Sequence, residues 1–355
     1  MKRILINGNL GYIGPIVVDY FRKNYPGTEI IGFDSGFFAG CLVNPNVFPE
    51  RDVNIQYFGD VRSFPKAILS GVDAVVQLAA VSNDPMGKFF ERPTRVINNE
   101  AVVKIAKLSK EMGVKNFIFA SSCSVYGAGG SEAKHERSEL NPQTTYAISK
   151  IECEKSLSGL ADENFIITAL RFATACGFSP RLRLDLVLND FVASGYLKRR
   201  IEILSDGTPL RPLIHVKDMA RAIGWASTRK LNNGGHFLVV NVGSNGWNYQ
   251  IKELAEKVKD IIGNIEISIN PNAVIDTRSY RVDFSLYSEL ASDFIPRVTL
   301  DDAVKEILAG LSSEKSIDLN FRQSHFIRLR TLNFLLDSGF INDNLNWNLN
   351  TTNDI

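Results

Sequence analysis

Cysteine and histidine are scarce in this chain, with four of each among 355 residues. The cysteines, at positions 41, 123, 153 and 176, form no C-x-x-C pair and have no histidine at zinc spacing. Neither a structural zinc site nor a dithiol redox centre is therefore expected. Reduced thiols suit a cytoplasmic location. The histidines, at 135, 215, 236 and 325, show no ligand spacing, so no metal is expected. His215 reads as a structural hydrogen-bonding residue rather than a base. A signal-peptide pattern is missing from the N-terminus, and no apolar run approaches the roughly 20 residues of a membrane helix. Long basic runs are missing as well: Lys198-Arg199-Arg200 is three long, and 40 basic residues face 39 acidic ones. No membrane and no nucleic acid is expected as a partner, because phosphate backbones are bound by clustered positive charge. No internal repeat is visible.

What is present is an ordinary globular composition, 45% hydrophobic and 22% charged, long enough for about two structural units. The chain is organised around Arg3-Ile4-Leu5-Ile6-Asn7-Gly8-Asn9-Leu10-Gly11-Tyr12-Ile13-Gly14. A short β-branched strand leads into a glycine-rich turn, and a helix follows from Pro15. Gly8 lets the chain turn out of the strand, Gly11 lets backbone approach a pyrophosphate, and Gly14 lets the helix pack on the strand. The helix N-terminus offers free N–H groups to phosphate. A second strand, 29–34, ends in Asp34, 20 residues after Gly14, a distance suited to hydrogen bonds with an adenosine ribose. Dinucleotide binding follows.

Further along, 35–54 reads as a long loop, and strand character returns at 55–58, 73–80, 116–121 and 165–171. Helical periodicity covers 101–112 and 146–160. Alternating strands and helices predict an α/β, Rossmann-type doubly wound parallel sheet. Beyond Gly177 the elements shorten, with helices expected near 185–198, 216–229, 250–262 and 300–311, and strands near 201–204, 237–242 and 265–269. The division expected is an NAD-binding domain over 1–175, with a return segment at about 212–242. A smaller mixed α/β substrate-binding domain takes 176–211 and 243–342, and 343–355 forms a loose tail.

Two stretches point to chemistry. Ala120-Ser121-Ser122-Cys123-Ser124-Val125-Tyr126-Gly127 follows a strand, at the carboxyl edge where open α/β sheets place ligands. Tyr146-Ala147-Ile148-Ser149-Lys150 opens a helix, and a spacing of four sets Tyr146 and Lys150 on one helix face. A neighbouring ammonium favours a phenolate, so Lys150 is expected to lower the Tyr146 pKa. Tyrosine and lysine at this spacing also occur on surface helices by chance.

Taken in order, the glycine turn, Asp34, Asp60, the Ser121–Gly127 stretch and the Tyr146–Lys150 pentapeptide closely resemble the extended short-chain dehydrogenase/reductase family. The nucleotide-sugar epimerases and dehydratases look nearest, and the resemblance covers about residues 3–310. It implies Tyr146 as acid/base, Lys150 as its partner and a ribose contact, and Ser122 as the hydroxyl that polarises the reacting oxygen. It also implies that Gly8, Gly11, Tyr12, Ile13, Gly14, Asp34, Asp60, Val61, Leu78, Ala79, Ala80 and Asn98 hold NAD, together with Tyr146 and Lys150. On the substrate side it implies Ser82, Ser124, Thr174, Arg211 in the segment Asp206–Asp218, and Arg278 in Asp276-Thr277-Arg278. Two arginines suit a diphosphate, and this reading is preferred to exposed salt-bridge arginines, an alternative that weighs more for Arg278 than for Arg211.

The sequence also departs from the family. Dehydratases place Asp-Glu after the catalytic hydroxyl, where this chain has Cys123 and Ser124, which speaks against 4,6-dehydration. Thr174 replaces a common asparagine, and 315–342 extends past the shared core with no assignable role. Phe37, Phe38 and Trp247 read as packing residues rather than base-stacking ones. The expected activity is NAD-dependent oxidation of a ring hydroxyl, at C4, of a nucleotide-diphosphate sugar, most simply as an epimerase. A dehydrogenase or a 4-keto-sugar reductase would use the same trio, and the intact trio argues against a non-catalytic dinucleotide sensor. A homodimer is expected through 98–112 and 146–160, with Cys153 and Leu157 near the seam, although burial against the chain's own sheet explains their apolar character equally well.

Overall fold

Strand and helix segments alternate from the first residues, and their apolar side chains set how they stack. In the computed structural model, which describes residues 1–128, 130, 132–270, 279–313 and 317–348, seven strands form one sheet. From edge to edge they are Phe237–Val242, Ile166–Phe172, Asn116–Ser122, Ala74–Gln77, Arg3–Asn7, Glu29–Asp34 and Ile55–Phe58. Every pairing is parallel. Ile4 and Ile6 turn to one core and Leu5 to the other, the period-two alternation of a strand buried on both faces. Helices Gly14–Asn24 and Val216–Ser227 pack on the first face, Val102–Glu111 and Thr145–Ser158 on the second. This is the doubly wound α/β arrangement that the alternation predicts. Its order reverses between Arg3–Asn7 and Ala74–Gln77, and the crevice outside that point is where such sheets bind ligands.

The later elements build smaller sheets: Thr174–Cys176 with Leu210–His215 and Asn248–Gln250, Arg200–Ile203 with Glu266–Ile269, and Ala133–Lys134 with Arg281–Val282. Helices Val187–Lys198, Ile251–Ile262 and Leu300–Ser312 fall where the periodicity puts them. Leu213, Leu254 and Val304 belong to the same buried cluster as Ile4 and Phe21, so this half shares the core of one sheet face.

Two expectations need correction, and one unassigned segment gains a structure. The tail expected to be loose from 343 is packed as far as Asn348: Leu345 is 1% exposed, and the Trp347 indole donates to the Ser35 carbonyl at 2.7 Å. The segment 315–342, without a sequence-derived role, contains the helix Arg328–Asp337. Cys153 and Leu157, expected at a dimer seam, are fully buried in the chain's own core. The exposed positions of that helix and of its neighbour include Lys104, Lys107, Glu152 and Lys155.

His215 caps the helix Val216–Ser227, its Nδ1 accepting the Lys217 N–H at 3.1 Å. Gly177 stands opposite at φ +106°, where a Cβ would come within 2.1 Å of Nε2. Burial, helped by the nearby Lys217 charge, lowers the imidazole pKa to about 3. The unfolded chain takes up this proton near pH 6.5, so folded-state stability drops as pH falls from 6.5 towards 3. Urea midpoints at pH 7.5 and 5 should converge in His215→Asn relative to wild type, because asparagine can cap but does not titrate.

Candidate active site

The glycine turn forms the floor of a long cavity of about 1090 Å³. Gly8 has φ +89°, and a Cβ there would lie 2.4 Å from the Ala79 nitrogen. At Gly14 a Cβ would lie 2.1 Å from the Asn9 oxygen. Gly11 differs: a Cβ would meet only the Gly8 oxygen, at 3.3 Å, and the residue lines the cavity. Gly8 and Gly14 are thus demanded by the chain's own close packing, whereas Gly11 leaves room for a ligand. Helix Gly14–Asn24 has no side-chain cap, which leaves its N-terminal N–H groups without an internal acceptor of that kind.

Asp34 stands at the end of its strand, accepting the Leu10 and Gly36 N–H groups at 3.0 and 2.8 Å. Burial raises its carboxyl pKa, and the two backbone donors oppose that shift. Tyr12, Ile13, Asp60, Val61, Leu78, Ala79 and Ala80 line the same end. Gly14 and Asn98 do not line it. Asn98 lies behind the wall, clasping both the N–H and the carbonyl of Val81 and so fixing the loop after the Ala74–Gln77 strand.

At the far end of the cavity Ser122, Ser124, Tyr146, Lys150, Ser82, Thr174 and Arg211 converge. Ser122 ends the Asn116–Ser122 strand, and Tyr146 and Lys150 lie in the first turns of Thr145–Ser158, whose N-cap Thr144 accepts the Ala147 N–H. Ser122 hydrogen-bonds the Tyr146 phenol. Lys150 Nζ donates to the Ala120 carbonyl at 2.7 Å and sits 5.5 Å from the Tyr146 ring centroid. Arg278 lies outside the described residues.

The expected direction of the Tyr146 shift is reversed in the protein alone. Burial pushes the phenol up to about 12; the Ser122 hydrogen bond opposes this, Asp84 adds to it, and Arg183 opposes it. Lys150 is itself driven down to about 8 by burial. Desolvation is the largest influence on both groups.

Sequence reasoning missed Arg183 and Asp185. The Arg183 guanidinium binds Asp185 through Nε and Nη2 at 2.9 and 3.0 Å, and the Ser82 hydroxyl through Nη1 at 3.1 Å. Asp185 also accepts Asn83 Nδ2 at 2.9 Å. Asn83 has φ +136°, a conformation that favours glycine, and this network holds it there. No local signal marks the group, since Ser82 and Arg183 are 101 residues apart. Cys123, by contrast, is buried with its thiol on the Arg171 carbonyl, and burial raises its pKa. Phe37 and Phe38 act as packing residues, against Trp347 and beneath Arg328, while also lining the cavity.

The sequence profile of the NAD dependent epimerase/dehydratase family matches residues 4–243. A Bacillus subtilis protein described as an uncharacterized UDP-glucose epimerase, YtcB, is 27% identical over 230 residues, 62% of this chain and 71% of its own. The UDP-glucose 4-epimerase of Corynebacterium glutamicum is 25% identical over 281 residues, 74% of this chain and 81% of its own. Reductases and decarboxylases of nucleotide sugars stand at the same level of identity. Among solved structures, MoeE5 in complex with UDP-glucuronic acid and NAD superposes with a TM-score of 0.73 at 22% identity, covering 88% of this chain and 99% of its own.

Proposed function

The chain belongs to the NAD-dependent epimerase/dehydratase family, and within it we propose an epimerase that acts at C4 of a nucleotide-diphosphate sugar. One observation carries the reading: a single cavity runs from the glycine turn and Asp34 to Ser122, Tyr146 and Lys150. The residues fit a dinucleotide. Gly11 leaves backbone open to a pyrophosphate, the helix start after it has no side-chain cap, and Asp34 and Asp60 line the same cavity as acceptors available to adenosine. Bound NAD supplies the hydride acceptor.

The chain's own residues do the rest. Ser122 orients the sugar hydroxyl, and Tyr146 Oη takes its proton as the ring carbon is oxidised to a ketone. The cations Lys150 and Arg183 offset the phenolate charge. Arg211, backed by the Tyr280 ring at 5.8 Å, faces the diphosphate; Ser82, Ser124 and Thr174 surround the sugar. Inversion needs the keto-sugar to turn its other face before the hydride returns. Dehydration is disfavoured, because a buried, hydrogen-bonded Cys123 thiol cannot protonate a leaving hydroxide. A 4-keto-sugar reductase is the second reading, supported by reductases at equal identity.

Tyr146→Phe removes only the ionisable hydroxyl, so its single-turnover rate with the active member of a nucleotide-sugar panel should drop about 10²–10⁴-fold. Ser122→Ala should lose less, because water partly replaces a hydroxyl, and Lys150→Met should lose both rate and NAD affinity. A folded Tyr146→Phe that turns over at the wild-type rate would remove this site from consideration.

Cofactor preference follows from Asp34. Among the described residues, Arg181 is paired with Glu50 and Arg62 with Asp60. A 2′-phosphate would meet the Asp34 carboxylate, so NADPH should bind at least about tenfold more weakly than NADH in fluorescence titration. Asp34→Ala should narrow the gap.

A further inference from the structure

The family profile ends at residue 243, yet one wall of the cavity is built from the last described part of the chain. The segment starts beside the substrate end. Phe321 is fully buried, and Arg322 makes a two-pronged bond to Asp190 at 2.9 and 2.8 Å. It then crosses the cleft. Arg328, 1% exposed, donates to the Arg181 carbonyl at 2.7 Å and stacks over the Phe38 ring at 5.2 Å.

The segment finishes over the adenosine end. Arg62, next to Asp60 and Val61, donates to the carbonyls of Asn344 and Leu345 at 2.6 and 2.8 Å. Leu345 takes φ +54°, a backbone position a leucine rarely adopts, and its side chain is buried while lining the cavity. Trp347 closes the edge: its indole donates to the Ser35 carbonyl, one residue past Asp34, and its ring lies 5.2 Å from Phe37. The turns that follow both strands, at Ser35 and at Arg62, are therefore held from outside by one segment.

We propose that residues 321–348 form a strap that belongs to the dinucleotide site and retains the cofactor through successive turnovers. This rests on the reading of the cavity as an NAD site. Retention bears on the reaction. A net oxidation must release reduced cofactor and take up oxidised cofactor in every cycle, whereas an epimerisation returns the hydride and needs no exchange. A strap anchored at both ends slows exchange without hindering a hydride that leaves and returns inside the cavity, so it selects the redox-neutral reaction.

The test loads the protein with NADH, adds excess NAD, and follows the loss of bound-NADH fluorescence. Wild type should release NADH many-fold more slowly than it turns over. Trp347→Ala, at a residue 40% exposed and therefore tolerant of replacement, should release it at least about tenfold faster. A chain ending at Ser338, which lacks Leu345 and Trp347, should release it faster still. Equal release rates in wild type and Trp347→Ala, or wild-type release faster than turnover, would overturn the strap while leaving the site assignment intact. Failure of wild type to bind either dinucleotide would overturn the site assignment, and the strap with it.

Discussion

The site depends on how one helix is fixed to the carboxyl edge of the sheet. Thr145–Ser158 carries Tyr146 and Lys150, and two buried polar links tie it to the Asn116–Ser122 strand and its neighbour. In the first, Lys150 Nζ donates to the Ala120 carbonyl. In the second, Glu154 accepts the Ser121 hydroxyl at 2.5 Å and both Nε and Nη2 of Arg171 at 3.0 and 2.7 Å. Arg171 also donates to the Tyr126 hydroxyl, which bonds Asn241 on the edge strand. Loss of one partner from so buried a pair strands a charge, at a cost of about 3–5 kcal/mol. Satisfied, the pair fixes the turn of helix that presents Tyr146, so the distance between phenol and Ser122 is set by the core rather than by a surface loop.

The same burial controls the chemistry. It raises the Tyr146 pKa and lowers that of Lys150, so both side chains are biased toward their neutral forms in the protein alone. For the proposed acid/base role, a phenol of this kind is neutral at rest, and its charge needs cations beside it when it ionises. Arg183, bound to Asp185 and Ser82, is a cation that opposes the rise in the Tyr146 pKa.

Much of this was legible from the sequence, for physical reasons that are local. A strand–glycine turn–helix announces itself because each glycine answers to a nearby backbone clash or a ligand. Asp34 follows from spacing, and Tyr146 with Lys150 from the helical repeat. What was not legible depends on long-range contacts. Arg183 acts through Ser82, and Arg62 holds carbonyls more than 280 residues further along the chain. The polar composition of 343–348 suggested a loose tail, but one leucine, one tryptophan and an arginine from elsewhere are enough to dock it. Asn98 and Gly14, expected from the resemblance to hold the cofactor, stand behind the cavity wall rather than on it. The sign of the Tyr146 shift could not be read from spacing, because it is set by how completely the pair is buried.

The central claim is that the hydride removed from the sugar returns to the same molecule. A nucleotide sugar carrying deuterium at the reacting ring carbon, followed by mass spectrometry over many turnovers, tests it directly. The account predicts that both epimers keep the deuterium and that the dinucleotide ends in the oxidation state in which it began. Deuterium lost from the sugar, with reduced dinucleotide accumulating in proportion, would contradict it.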